Sequence, residues 1–191
     1  MIDKSRFLIT GLPRTRTTWL TVLFNCICVE AAHERDLFFD SMNDLTEWLE
    51  GGTEKHPHGL IDGFASCAYP SYALKTFANN PIVFIKRSVK DVQRSWEEWQ
   101  GYPTHQGLLY LAQKNYKRFL DEAPSQALIV NYEDLDDYKT CKKIVETCTN
   151  RTLPKSTFHF LNHVQVELHW DKCATFTRAN PKPYILEVEN A

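Results

Sequence analysis

The chain has 191 residues, 43% hydrophobic and 24% charged, a composition that describes one folded domain over 1–191 and excludes a disordered segment. A formal charge of −2 supplies no overall basic field, so no nucleic-acid partner is expected and any anion must be held by local clusters. No apolar run reaches the length of a signal peptide or a membrane span, so the expectation is a cytoplasmic protein without membrane association.

Taken in chain order, 7–10 (FLIT) reads as a buried strand, 11–16 as a tight loop and 17–28 as a helix. Trp19, Leu20, Leu23, Phe24 and Ile27 recur there at three-to-four spacing. A loop that feeds a helix N-terminus has backbone N–H groups without intrahelical acceptors at the positive end of the helix dipole, which makes it an anion site. Arg14, Arg16, Thr17 and Thr18 add guanidiniums and hydroxyls there. A second strand over 28–32 then carries His33, Glu34, Arg35 and Asp36 to its C-terminal end, the edge at which open parallel sheets bind ligands.

A capped helix over 41–50, a polar loop over 53–59 and a brief strand at Leu60 and Ile61 follow, the last ending in Asp62 and Gly63. A helix is expected over 69–77. The apolar, β-branched run PIVFIK at 81–86 is the clearest central strand, with Arg87 and Ser88 at its tip. Helices over 89–100 and 108–122 are separated by a loop at 102–107. A buried strand at 127–130 leads into a helix that opens at Asn131 and runs to Cys148, and a short helix covers 154–162. The tail from His163 is left unassigned.

Strands alternating with helices predict an α/β fold, a three-layer sandwich around a central parallel sheet. Cys26 and Cys28 fall on different faces of one helix, Cys141 and Cys148 lie two turns apart on another, and neither pair has CxxC spacing. The six cysteines are therefore expected to be reduced packing residues, with no metal site.

A nucleoside-triphosphate loop requires GxxxxGK followed by Ser or Thr, the lysine reaching the terminal phosphates. Aligned from Gly11, this chain has Arg16 in place of the second glycine and Thr17 in place of the lysine. The run from Pro13 to Trp19, P-R-T-R-T-T-W, instead resembles the first signature of the sulfotransferases that use 3′-phosphoadenosine 5′-phosphosulfate (PAPS). That signature is Gly/Pro, basic residue, Ser/Thr, Gly, Thr, Thr, Trp, matched here except at Arg16. Arginine takes φ > 0 only at a cost that glycine avoids, so a differently shaped loop is expected at that position.

A second signature of that family, an arginine at a strand end with a serine eight residues on, is matched by Arg87 and Ser95 in VFIKRSVKDVQRS, with Lys90 and Asp91 between them. The spacing lets the arginine fold back from the strand tip toward a serine about two turns into the next helix. A third echo, ALIVNYEDL at 127–135, is taken as structural. Together these cover about residues 6–148 and resemble a compact bacterial or phage-like member of the family.

The resemblance implies a P-loop NTPase-like sulfotransferase topology, PAPS as donor, PAP as product and no metal. The donor would be bound by the loop through Gly11, Pro13, Arg14, Thr15, Arg16, Thr17 and Thr18. Arg14 would neutralise charge on the leaving phosphate, Thr17 and Thr18 would hold the 5′-phosphate, and Arg87 and Ser95 the 3′-phosphate. The acceptor would be a hydroxyl or amine of a small molecule or glycan.

The histidine that cytosolic members carry ahead of the second signature has no counterpart in LIDGFAS at 60–66. Glu34 ahead of Phe38-Phe39-Asp40 resembles the glutamate of the glycosaminoglycan branch and ranks first as general base, followed by His33 and Asp62. Each has a plainer reading: Glu34 paired with Arg35 or Arg14, His33 satisfied by backbone, Asp62 as a turn former. Lys172 and Arg178 in the tail would close over the donor, and Trp96, Trp99 and Tyr102 would shape the acceptor side or, at helical spacing, pack in the core. The competing functions are a P-loop nucleotide or small-molecule kinase and a non-catalytic nucleotide-binding protein of the same fold. Neither acceptor identity nor oligomeric state is legible.

Overall fold

The computed structural model describes residues 2–34, 47, 58–63, 65–98 and 106–163. Five strands, β1 (Arg6–Gly11), β2 (Glu30–His33), β3 (His58–Asp62), β4 (Ile82–Lys86) and β5 (Leu128–Asn131), form one parallel sheet in the order β2-β3-β1-β4-β5. The middle strand is β1, with Leu8 paired to Leu60 of β3 on one side and to Ile82 of β4 on the other. From β1 the chain passes to the edge at β2, returns to insert β3 beside β1, and then crosses to β4 and β5 on the other side, so the C-terminal tip of β1 lies where the connections change side, the usual place for a ligand crevice in an open α/β sheet.

Alternation along β1 divides the core. Phe7 and Ile9 face α1 (Thr17–Cys26), α6 (Tyr138–Cys148) and α7 (Lys155–Asn162), through Leu20, Phe24, Ile144 and Phe158. Leu8 faces the opposite layer of α2 (Ala65–Ala68), α3 (Pro70–Thr76), α4 (Val89–Glu98) and α5 (Gln106–Glu122), where Phe84 packs with Phe77, Trp96 and Phe119. Each fully buried phenylalanine contributes about 2–3 kcal/mol by removal from water. The α/β three-layer sandwich is therefore the observed architecture. No helix among the described residues is long and apolar enough to cross a membrane.

Several boundaries differ from expectation for identifiable reasons. The second strand begins at Glu30 because Cys28 sits at φ 58, a left-handed turn that ends the helix region and leaves Cys28 outside α1. The Asn25 side chain then bonds both the C=O (3.0 Å) and the N–H (3.2 Å) of Ala31 and fixes where pairing starts. The third strand takes in His58 and Gly59, expected in a loop: the Phe7 ring lies on Gly59, and a Cβ there would stand 2.1 Å from the ring.

At the other edge, β5 is not buried on both faces, since Ile129 is 51% exposed. The helix expected from Asn131 to Cys148 is two elements. A 3₁₀ turn (Tyr132–Asp136) is followed by an extended Asp137 (φ −94, ψ 127), whose carboxylate accepts the Thr140 N–H at 3.0 Å and caps α6. Of the helix expected over 41–50 only Glu47 is described, and it is helical. Arg35, Asp36, Trp99, Tyr102 and the tail with Lys172, Cys173 and Arg178 lie outside the described residues. Cys26 and Cys28 are exposed free thiols, and Cys67, Cys141 and Cys148 are buried free thiols.

Candidate functional site

The loop between β1 and α1 is shaped from beneath. Gly11 pairs with Ile85 of β4, and a Cβ at Gly11 would stand 2.5 Å from the Ile85 carbonyl oxygen, so only glycine lets the strand tip approach this closely. The fully buried Thr15 donates its hydroxyl to the Leu12 carbonyl at 2.7 Å and closes the loop on itself. Cys67 Sγ donates to the Gly11 carbonyl at 3.1 Å from below.

Two loop residues take left-handed backbone conformations, Arg14 at φ 66 and Arg16 at φ 61. Arg16 is the N-cap of α1 with ψ 25, makes no side-chain capping bond, and lends its carbonyl to the first helical N–H, that of Leu20, at 2.9 Å. Arg16 thus takes the left-handed conformation that glycine adopts more readily, at about 1–2 kcal/mol of strain. With no acidic residue in the first turn of α1, the positive end of the helix is left for an anion.

A basic arm from β4 reaches the same place. Arg14 Nε donates to Ser95 Oγ of α4 at 3.3 Å. Arg87, at the tip of β4, donates to the Arg14 carbonyl, its guanidinium carbon lies 4.0 Å from the centre of the Tyr132 ring, and its own carbonyl accepts from the Tyr116 hydroxyl at 3.3 Å. Partial burial, and after it the nearby Arg87 charge, lower the pKa of Arg14. Two like charges held this close raise the local positive potential.

On the other side of the loop, the tips of β2 and β3 bring together the acid and imidazole groups. His33 Nε2 lies 3.0 Å from Thr17 Oγ1 and 3.3 Å from Thr18 Oγ1, so two hydroxyls compete for one ring nitrogen. Burial lowers the pKa of His33 to about 3 and keeps the ring neutral. Glu34 follows in a left-handed conformation (φ 48), donates its N–H to the Ile61 carbonyl at 2.9 Å and is 5% exposed. Burial first, then the Asp62 charge, raise its carboxyl to about 8. The Glu34 carboxyl lies 3.8 Å from His33 Nε2. Asp62 is fully buried and accepts the Ser66 N–H at 2.6 Å, which caps the short α2. Gly63 keeps the gap between these layers open: a Cβ would stand 3.2 Å from Pro13 Cα, 3.4 Å from Glu34 Oε1 and 3.6 Å from Thr17 Oγ1.

Thus Arg14, Arg87 and Ser95 converge at the mouth of the loop, while Thr17, Thr18, His33 and Glu34 form a buried cluster behind it. The hydroxyl of Thr15 is spent within the loop, leaving only its backbone to face a ligand. Arg16 turns to Asp136 (2.5 Å) and to the Trp19 ring (4.5 Å). Sequence reasoning passed over Gly63, Tyr116, Tyr132 and Asp136. The signal for the last two was the acidic run YEDLDD after a strand, read there as an ordinary helix start.

No protein-family model matches the sequence, and no curated protein does. Among solved structures, the sulfotransferase from Alicyclobacillus acidocaldarius is similar, with a TM-score of 0.51 and 13% identity over 78% of this chain and 84% of that one. The fold is P-loop NTPase-like, a parallel sheet between two helical layers. At that identity the likeness concerns architecture alone. A gluconokinase from Sinorhizobium meliloti 1021 (TM-score 0.43, 11% identity, 84% of this chain and 95% of that one) and a shikimate kinase from Bacteroides thetaiotaomicron (TM-score 0.43, 14%, 74% and 94%) are looser matches.

Proposed function

We propose that this chain is a PAPS-dependent sulfotransferase that modifies a hydroxyl or amine of a small molecule or glycan. The observation that carries the reading is the meeting of two distant segments at the loop: Arg14 on Ser95 at 3.3 Å, and Arg87 on the Arg14 carbonyl. Separate cationic arms at one helix N-terminus suit a nucleotide with phosphates at two positions better than a linear triphosphate. Thr17 stands where a triphosphate loop has its lysine, and its hydroxyl is engaged with His33.

In this reading the donor brings the activated sulfuryl group, and the chain supplies position, charge and a base. The loop N–H groups and Arg14 hold the 5′-side anion, and Arg87 and Ser95 hold the 3′-phosphate. The positive field comes from these groups and from α1, and the reaction calls for no metal. Glu34 takes the acceptor proton: a carboxyl raised to about 8 is a stronger base than an exposed one once ionised. His33, which burial keeps neutral, orients the Thr17 and Thr18 hydroxyls instead. Asp62 is committed to the start of α2.

The test is a thermal-shift and calorimetric comparison of PAP, PAPS, ATP and GTP, with Mg²⁺ or with chelator. Stabilisation by PAP in chelator is expected. Binding of Mg-triphosphates alone would overturn the reading in favour of a kinase, and PAP binding without sulfuryl transfer to any of a panel of sugars, phenols and amines would leave a nucleotide-binding protein.

A further inference from the structure

We infer that the Tyr132–Asp136 turn is a latch for the anion loop, with Asp136 a positioning residue that acts through Arg16. Arg16 sits in a left-handed conformation strained for any side chain, and its guanidinium is fixed at two points outside the loop. Its Nη1 donates to Asp136 Oδ1 at 2.5 Å, across 120 positions of sequence, and its guanidinium lies 4.5 Å from the centre of the Trp19 ring. Trp19 is itself held, its Nε1 donating to the Leu161 carbonyl at 3.1 Å.

The other end of the same turn holds the second cationic arm. Tyr132 lies under the Arg87 guanidinium at 4.0 Å, and Arg87 donates to the Arg14 carbonyl. The contacts close a circuit that runs from Asp136 to Arg16, along the loop backbone to Arg14, across to Arg87, down to Tyr132 and back through the turn. A five-residue turn beyond β5 thereby holds one arginine of the loop, Arg16, and the arginine at the tip of β4, Arg87, over the strand tips that sheet pairing has already set side by side. The side chain of Asp136 is 77% exposed, so its ion pair adds little to global stability. Its effect is local: it holds a strained residue in one conformation.

The relation of the turn to the loop stands on these contacts, and its effect on nucleotide binding rests on the proposed function. Amide hydrogen exchange on the ligand-free protein separates the two. In Asp136→Ala, exchange of the Leu20 N–H, whose acceptor is the Arg16 carbonyl, is expected to quicken about twofold to fivefold, the size an exposed ion pair allows, with the melting temperature essentially unchanged. Asp136→Glu restores the slow rate, and Asp136→Ala introduced into Arg16→Gly has no further effect. Unchanged exchange in Asp136→Ala, or an equal increase in the Arg16→Gly background, overturns the latch. Where the wild type binds PAP, Asp136→Ala weakens it by a similar factor, and unchanged affinity would overturn the positioning role. A wild type that binds no PAP would sink the proposed function and leave the exchange result to decide the latch.

Discussion

Arg14 Nε and Ser95 Oγ lie 3.3 Å apart although 81 positions of sequence separate them. The bond ties the loop after β1 to the helix after β4, so the two cationic parts of the site are in register before any ligand arrives. A site assembled in advance loses less on binding than one that must be ordered.

The two arms are expected to read different groups. Arg87→Ala should weaken PAP about tenfold to a hundredfold, the range of a lost charge-assisted hydrogen bond pair, and adenosine 5′-phosphosulfate, which lacks the 3′-phosphate, much less. Titration calorimetry of both nucleotides checks this. Equal losses would mean that Arg87 does not read the 3′-phosphate.

Glu34→Gln should lower sulfuryl transfer by about 10²–10⁴-fold while PAP affinity stays within about twofold. Because the carboxyl titrates at about 8, wild-type turnover should climb through neutral pH and level off above that value. A flat profile from pH 6 to 9, or a Gln variant with wild-type turnover, removes Glu34 from the role.

Stability should depend on pH through the same buried pair, with opposite signs. Between its ordinary value near 4.5 and its folded value of about 8, the folded chain keeps a proton on Glu34 that the unfolded chain has released, so raising pH across that window favours unfolding. His33 acts the other way: between about 3 and its ordinary 6.5 the unfolded chain takes up a proton that the folded chain refuses, so stability is lost as pH falls through that range. The effects oppose each other from about 4.5 to 6.5, and only Glu34 acts from about 6.5 to 8. Melting temperature should therefore decline from pH 6.5 to 8 in the wild type and be nearly level there in Glu34→Gln. Parallel curves for the two proteins would contradict this account.

Gly11→Ala should destabilise the fold by about 1–3 kcal/mol, since the new Cβ meets a backbone oxygen that no rotamer can move. The expected fall in melting temperature is about 2–4 °C per kcal/mol for a domain of this size. Thermal denaturation measures it, and a change below one degree would show that the strand tip can yield.

What could be read from the sequence was whatever local chemistry determines. PIVFIK became Ile82–Lys86 because β-branched apolar residues suit a central strand, and the loop after FLIT led into a helix at Thr17 as its position before an apolar stripe required. Arg87 and Ser95 both meet Arg14, one at its carbonyl and the other at its side chain, a meeting that their eight-residue spacing alone does not give. The burial of His33 and Glu34 was hidden, because a run such as HERD reads as solvated until the β2–β3 register brings its first half beneath the loop. The division at Asp137 was hidden too. The acidic run offers several helix starts, and the one used depends on a buried Leu135 and on Arg16, far away in sequence.

The thiol beneath the loop has a practical consequence. Cys67 is fully enclosed, is held to the Gly11 carbonyl at 3.1 Å, and has its pKa pushed well above the normal thiol range by burial and then by Asp62. It is inert toward alkylating reagents as long as the strand tip stays seated, whereas Cys26 and Cys28 stand open to them. Once the open thiols are blocked, slow labelling read at the peptide that carries Cys67, apart from those of Cys141, Cys148 and Cys173, becomes a chemical clock that counts openings of the floor of the site.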